Sequence, residues 1–318
     1  MPVKQNSSHQ HFKLSSRKVA TIAVLLVLLY AVIPQIGSFR SSLEILGTIK
    51  PYYLAGAVLF SLATYFAAAG VYIVLATKTL SYLKVVLVQM AGMFVNRLVP
   101  AGIGAISINY EFLRKAGHSK QQAGAVIAVN NLSGIVGHLS LIIAVLVLRP
   151  RLLSNLTIPA IPLRTYWITG GVVLIILLVL AVLQGTRRRI VRTIIGIVNK
   201  IAQYSKSPKR LLRAWIISMS LTTLYVLCLW FTLGSLAVHI SPIQALIVLS
   251  FGVAGASVLP TPGGLVGAEA GLVAGLMLFG IKSSDALAAA LLYRLITYWL
   301  PLVLGPIAFG FAERRRYI

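Results

Sequence analysis

Three charged residues lie within stretches of sequence that are otherwise apolar: Arg97, Glu269 and Arg294. An ionisable side chain at the centre of a bilayer costs about 2.5–3.5 kcal/mol on insertion scales, so such residues are paired, face water or bind a charged ligand. Two guanidinium groups beside one carboxylate leave a net positive charge, which a phosphate can neutralise through two oxygens at once. The alternative is a structural ion pair between Glu269 and Arg97 or Arg294, and the two readings are compatible if a ligand competes for the pair.

Two clusters of proline and glycine lie close to these charges. They are V-P-A-G-I-G at 99–104, which contains Pro100, and P-T-P-G-G-L-V-G at 260–267, which contains Pro262, Gly263 and Gly264. Proline and glycine end helices, and a helix that begins after the second cluster directs free amide groups toward an anion. No G-K-[ST] follows the glycines, so they do not indicate a nucleotide site. We expect the three charged residues and these four Pro and Gly residues to form one substrate-binding site without catalytic residues.

Composition places these residues in a membrane. Of 318 residues, 58% are hydrophobic and 11% charged, and the mean hydropathy is +0.90, which a soluble fold cannot accommodate. The 29 Lys and Arg residues against 5 Asp and Glu residues give a net charge of +24. They lie in short segments between apolar runs, as expected of loops beside an anionic leaflet rather than of a nucleic-acid-binding domain. The single cysteine, Cys228, and the histidines of the N-terminal tail suggest no metal site, and no cofactor is expected.

The apolar stretches predict an all-α integral membrane protein with about six spanning helices. Stretches long enough to cross a bilayer occur at 19–39, 51–77, 121–148, 165–186, across 214–268 and, with one arginine, at 285–312. Three further apolar segments, at 85–96, 98–110 and 270–281, are too short to cross. Because each lies beside a Pro/Gly cluster, we expect two opposed re-entrant helical hairpins.

The distribution of positive charge supports that topology. With the short segments as hairpins, the basic tail 1–18, the basic amphipathic segment 187–213 and the basic tail 313–318 all lie in the cytoplasm. The single transmembrane domain then extends over 19–312 of a multi-pass protein of the cell membrane. Its halves, about 51–148 and about 212–312, have the same order of segments and opposite orientation, which predicts an inverted repeat with a site at the midplane. The other interpretation is a chance likeness between two Gly/Pro-rich stretches.

Three motifs resemble those of a known family: Asn96-Arg97-x-x-Pro100, Pro262-Gly263-Gly264-Leu265 followed by Glu269, and the helix that carries Arg294. They are similar to the transmembrane region of lysylphosphatidylglycerol synthases and its stand-alone, flippase-like relatives, from about residue 20 to 312. The resemblance implies movement of an aminoacylated phospholipid or a polyprenyl-phosphate-linked lipid between leaflets. This sequence departs from the family at Ala268, where an arginine usually precedes the glutamate, and it ends at Ile318 without a synthase domain.

The sequence therefore predicts a lipid transporter that is not itself an enzyme. Its partners are membrane lipids with an anionic headgroup or a polyprenyl phosphate. Without an ATP site, transport would be gradient-driven or passive. One alternative is the membrane subunit of a lipid-modifying system whose aminoacyl- or glycosyltransferase is a separate chain, and another is a scaffold in which the buried charges are only structural.

Overall fold

The structure is a computed structural model that describes residues 49–99, 102–149, 195–196, 198–204, 206–258 and 261–318. The N-terminal tail, the spans expected at 19–39 and 165–186, and Pro100 lie outside these residues. In chain order the helices are α1 (Pro51–Leu75), α2 (Tyr82–Leu98), α3 (Ile103–Lys115), α4 (Lys120–Leu148), α5 (Pro208–Ser235), α6 (Pro242–Val258), α7 (Gly267–Met277), α8 (Ser283–Arg294) and α9 (Leu300–Arg314). A 3-10 turn forms at Pro262–Gly264 and a π-helical segment at Leu295–Trp299.

Among the described residues, four helical rods are long and apolar enough to cross a membrane. They are α1, α4, α5 and the continuous run Ser283–Arg314, in which the π-helical segment joins α8 to α9. Large apolar side chains such as Ile143 and Val147 point outward from α4, as expected of a surface that contacts lipid. Within the described residues every element is helical and none is a strand. The all-α membrane class expected from the sequence is confirmed.

The shorter helices form two antiparallel pairs. In the first, Gln89 of α2 donates a 2.7 Å hydrogen bond to Asn109 of α3. In the second, α6 and α7 pack backbone to backbone, since a Cβ atom at Gly267 or Gly271 would collide with α6 carbonyl groups. A break follows Leu98 in the first pair and Val258 in the second. The glycines of α7 at 267, 271 and 275 therefore allow close contact with α6, as small residues at helix interfaces commonly do.

Capping residues explain where several helices begin and end. Ser119 and Gln122 form a capping box at the start of α4, with Ser119 Oγ accepting from the Gln122 amide and Gln122 Oε1 from the Ser119 amide. Ser241 and Gln244 make the same reciprocal pair before α6. Gly117 has a φ of 86° just after α3, a conformation that glycine adopts without strain at a helix C-terminus.

The turn between α3 and α4 is attached to the end of α1 through His118, which is 1% exposed. Its Nε2 accepts a 3.3 Å hydrogen bond from the Thr77 amide, so Nδ1 carries the proton and donates to the Leu113 carbonyl at 3.1 Å. Burial lowers the pKa of His118 from its usual 6.5, the bond to Leu113 opposes that shift, and the Lys78 ammonium adds to it. The fold therefore requires the neutral ring.

Helices α1 and α5 run antiparallel across the middle of the molecule. The Lys50 amide donates to the Ser235 carbonyl at 3.2 Å, and Gly70 faces Ile217 further along. Near the other end, the Tyr204 hydroxyl donates to the Leu75 carbonyl at 2.6 Å. Helix α5 begins at Pro208, six residues before the expected span, because proline suits the first helical turn. Residues 208–213, which the sequence placed in the basic segment 187–213, are thus the first residues of α5.

Candidate functional site

Glu269 and Arg294 form an ion pair between two neighbouring helices. Glu269 lies in the first turn of α7 and Arg294 in the last turn of α8. Arg294 Nε donates to Glu269 Oε1 at 2.8 Å, and the two side chains are only 9% and 13% exposed. Arg294 Nη2 also donates to the Gly263 carbonyl at 3.0 Å. The pair therefore ties α8 to α7 and to the second Pro/Gly break.

Arg97 lies in the last turn of α2, buried and without a carboxylate partner among the described residues. Its Nη2 donates a 2.8 Å hydrogen bond to the Thr297 carbonyl in the π-helical segment. In an α-helix that carbonyl would accept from the amide of residue 301, but Pro301 has no amide hydrogen to donate. Proline thus leaves Thr297 available to a guanidinium group from the other half of the chain.

Tyr298 brings the two arginines to one aromatic ring. The guanidinium carbon of Arg97 lies 5.1 Å from the ring centroid and that of Arg294 lies 4.7 Å from it. Both distances allow cation–π attraction. The backbone of Gly263 passes so close to this ring that a Cβ atom there would collide with it. Gly263 also has a φ of 61°, so it meets both a conformational and a spatial requirement for glycine.

Charge in this cluster is unbalanced. Arg97 and Arg294 contribute two positive charges, and within the described residues Glu269, which pairs with Arg294, is the single carboxylate of the cluster. Two buried polar atoms there, Arg97 Nε and Glu269 Oε2, have no hydrogen-bond partner in the part of the chain that the structure describes. Buried polar groups are nearly always satisfied. The cluster therefore has one positive charge in excess and polar atoms available for a further ligand.

A cavity of about 290 Å³ adjoins these residues. Its lining comes from both halves of the chain: Met93, Arg97, His138, Thr222, Tyr225, Leu249, Gly252, Val253, Ala256, Gly263, Ala268, Leu272, Tyr293, Arg294 and Thr297. The lining includes the cationic groups of Arg97 and Arg294 as well as apolar side chains of α6 and α7. His138 Nε2 lies 3.2 Å from Ser250 Oγ, so α4 and α6 are hydrogen-bonded beside the cavity. This combination suits a ligand with an anionic group and an apolar part.

The structure brings together most of the residues predicted from sequence. Arg97, Glu269, Arg294 and Gly263 form one contact group, in which the carboxylate pairs with Arg294 rather than with Arg97. Gly264 has a φ of 67° and packs against Ala256, so it shapes the break without lining the cavity. Pro262 opens the 3-10 turn.

Sequence reasoning missed Tyr298 and the π-helical segment that presents it. The aromatic ring is 2% exposed and looks like an ordinary core residue in the sequence. One signal was available: Pro301 follows Thr297 by four residues, which predicts a carbonyl without its helical partner. Short π-helical segments often occur at functional sites.

The apolar rods, the outward-facing apolar side chains and the charged cavity between helix breaks define an integral membrane protein. The family model described as "Lysylphosphatidylglycerol synthase TM region" matches residues 18–305. The chain therefore belongs to the lysylphosphatidylglycerol synthase transmembrane-region family, as its motifs suggested. A comparison with curated proteins finds no match.

Proposed function

We propose that this protein moves a lipid with a phosphate-containing headgroup between membrane leaflets, with the headgroup bound in the cavity beside Arg97. The observation that carries this proposal is the excess positive charge. Arg97 and Arg294 share a buried site with one carboxylate. A phosphodiester would neutralise that charge and accept hydrogen bonds from both guanidinium groups. Other favoured ligands of the same chemistry are polyprenyl-phosphate-linked lipids.

Cavity size and lining support a headgroup rather than a whole lipid. Ligand pockets commonly measure about 300–1,000 Å³, and this one, at about 290 Å³, lies at the small end of that range. Its apolar side chains include Leu249, Val253 and Leu272. In this proposal the acyl or polyprenyl chains remain in hydrocarbon while the polar headgroup crosses through the protein.

An inverted repeat supplies the means of alternating access. Both halves have the order long helix, two short helices around a break, then a long helix. Gly117 and Gly280 each have a positive φ just after the short helices, which supports the correspondence. With the antiparallel pairs α2–α3 and α6–α7 as opposed re-entrant hairpins, their breaks meet at the cavity, where Arg97 Cδ lies near Gly263. Rocking of one half against the other would open this site to each leaflet in turn.

Basic residues favour one orientation of the proposed repeat. The end of the bundle where α1 ends and α5 begins carries Lys and Arg residues at 78, 84, 114, 115, 120, 206, 209, 210 and 213. Tyr317 also lies there, because the Lys84 ammonium is 5.1 Å from its ring centroid. The positive-inside rule assigns this end, and with it the C-terminus, to the cytoplasm.

Each residue of the contact group has a role in the proposed cycle. Arg97 and Arg294 bind the phosphate, and Gly263 with Gly264 shapes the break so that a headgroup can approach. When a phosphate engages Arg294, Glu269 loses part of its ion pair and either moves or takes up a proton. In the empty site Arg294 is then paired with Glu269, and in the loaded site Arg294 is paired with the phosphate of the lipid.

Leaflet transfer in proteoliposomes tests the proposal. The purified protein is reconstituted with headgroup-labelled phosphatidylglycerol, a labelled polyprenyl phosphate or labelled phosphatidylcholine, and loss of label to an impermeant quencher is followed. We expect transfer of the anionic lipids above the rate in empty vesicles, and less transfer of phosphatidylcholine. Rates equal to empty vesicles for every lipid would contradict transport. In that case, co-purification of a transferase would favour the alternative of a membrane subunit.

A further inference from the structure

A second cavity lies away from the midplane cluster, at the basic end of the bundle. It measures about 620 Å³ and is lined by Ile73, Val74, Lys206, Ser207, Pro208, Lys209, Arg210 and Arg213. A smaller cavity of about 120 Å³ adjoins it through Ser207 and Arg210 and also contains Lys200 and Tyr204. The two cavities together form a groove between the end of α1 and the beginning of α5, which we call the basic groove.

Among the described residues, no carboxylate side chain lines the basic groove. Its lining residues include several Lys and Arg side chains and neither Asp nor Glu. The whole sequence has no acidic residue between Glu111 and Glu269. Glu111 lies 3.8 Å from Lys115 and Glu269 is paired with Arg294. An anionic ligand would supply the counter-charge that the lining residues of the groove do not.

The start of α5 strengthens the preference for an anion. A helix N-terminus carries partial positive charge and ordinarily has acidic residues in its first turn. Helix α5 has none there, its N-cap Ser207 makes no side-chain cap hydrogen bond, and Lys209 and Arg210 occupy the first turn instead. Side-chain cations and helix dipole thus act in the same direction on the same cavity. The positive-inside rule explains why Lys and Arg residues occur at this end of the bundle. It does not explain why their side chains line a cavity.

The lining of the basic groove also includes apolar residues of a spanning helix. Ile73 and Val74 lie in the last turn of α1, at the level where the hydrocarbon of a bilayer gives way to headgroups. A lipid fits both kinds of lining residue, with its phosphate among the cations and the start of an acyl chain against α1. Free phosphate would use only the cationic residues.

We propose that the basic groove is a binding site for an anionic phospholipid of the leaflet at that end of the bundle, separate from the midplane cavity. Basic pockets between membrane helices are suited to such headgroups. The site does not depend on transport, since it would be occupied even in a protein that only binds lipid.

Native mass spectrometry of the full-length protein tests this site. Phosphatidylglycerol or phosphatidylcholine is titrated into detergent-purified protein that carries Arg97→Gln, which weakens the midplane site. A triple variant removes Lys209, Arg210 and Arg213 as glutamines. The control variant, Lys115→Gln with Arg314→Gln and Arg315→Gln, loses the same charge at the same end of the bundle, outside the groove.

Each cation near an anionic lipid is worth roughly fivefold in binding, so the triple variant should bind phosphatidylglycerol at least about tenfold more weakly. The control should change by less than about threefold, and phosphatidylcholine binding should not respond to either variant. Equal losses in the two variants would overturn the proposal. Displacement of phosphatidylglycerol by inorganic phosphate at millimolar concentration would assign the groove to free phosphate instead.

A photocrosslinking measurement keeps the proposal testable if the triple variant fails to fold. Benzoylphenylalanine replaces Val74 in the groove or, as the matched control, Ile143, which is 58% exposed on α4. In vesicles of mixed lipid, the Val74 probe should capture phosphatidylglycerol in preference to phosphatidylcholine, and the Ile143 probe should capture both in proportion to their abundance. The same lipid ratio at both positions would overturn the proposal.

Discussion

Replacing Arg97 with glutamine removes the charge that the site has in excess. The substitution keeps a polar side chain but removes the guanidinium group, whose Nη2 lies 2.8 Å from the Thr297 carbonyl and which the shorter glutamine cannot replace there. It leaves the Glu269–Arg294 pair in place, since Arg97 does not contact that carboxylate. We therefore expect it to separate lipid binding from folding.

The two expected effects differ in size. A hydrogen bond from a charged donor to a phosphate is worth about 1.5–3 kcal/mol, so transfer of an anionic lipid should slow by about ten- to a hundredfold. For stability the terms oppose each other. The variant loses a cation–π contact of about 0.5–2 kcal/mol and the hydrogen bond to Thr297, but it also loses the cost of burying a cation near Arg294. Thermal unfolding should therefore shift by only a few degrees.

The assay combines leaflet transfer of labelled phosphatidylglycerol with the unfolding temperature of the same preparation. Arg149→Gln is the control, because Arg149 is an exposed residue just after α4 and its loss should change neither quantity. Transfer by Arg97→Gln at the wild-type rate would refute a role for the excess charge. Loss of transfer in proportion to loss of folded protein would show that Arg97 is structural.

Three further substitutions test other parts of the structure. Arg294→Met should lower stability by about 3–5 kcal/mol, because it leaves the Glu269 carboxylate buried and unpaired. The double variant with Glu269→Met should regain most of the unfolding temperature without regaining lipid transfer. If transfer returned as well, the ion pair would be purely structural. Gly263→Ala, at a φ of 61° and against an aromatic ring, should cost at least about 1–2 kcal/mol, whereas Gly134→Ala, with nothing within 4 Å, should cost nothing; equal unfolding temperatures would contradict this. Because burial lowers the pKa of His118, its stabilising contribution should be complete above pH 6.5 and decline as pH falls below it; a wild-type curve of unfolding temperature against pH parallel to that of His118→Gln would contradict that linkage.

Much of the fold could be predicted because bilayer crossing imposes simple rules on sequence. Charge-free stretches of sufficient length predicted α1 and α4 to within two residues at each end. The run 214–268 was harder, because α5, a short connection and α6 are all apolar and the second start is marked only by Pro242 and the capping pair of Ser241 and Gln244. The start of α5 at Pro208 was missed because the basic residues there resemble a loop.

The site was predicted in its members but not in its pairing. Buried charge is expensive in hydrocarbon, so Arg97, Glu269 and Arg294 could be selected from sequence alone. Which arginine pairs with the carboxylate depends on side-chain directions at the ends of α2 and α8, and no sequence spacing specifies those. Tyr298 was missed for a related reason, since an aromatic residue in an apolar helix indicates core packing unless its neighbours are known.

The most direct test of lipid binding at the midplane is a cryo-electron microscopy map of the protein in nanodiscs of phosphatidylglycerol. We predict phosphate density in the cavity within hydrogen-bonding distance, about 3 Å, of the Arg97 guanidinium group, with acyl-chain density continuing along α6 or α7. A cavity that contains only acyl-chain density, or whose Arg97 is neutralised by a carboxylate of the protein itself, would contradict the proposed site.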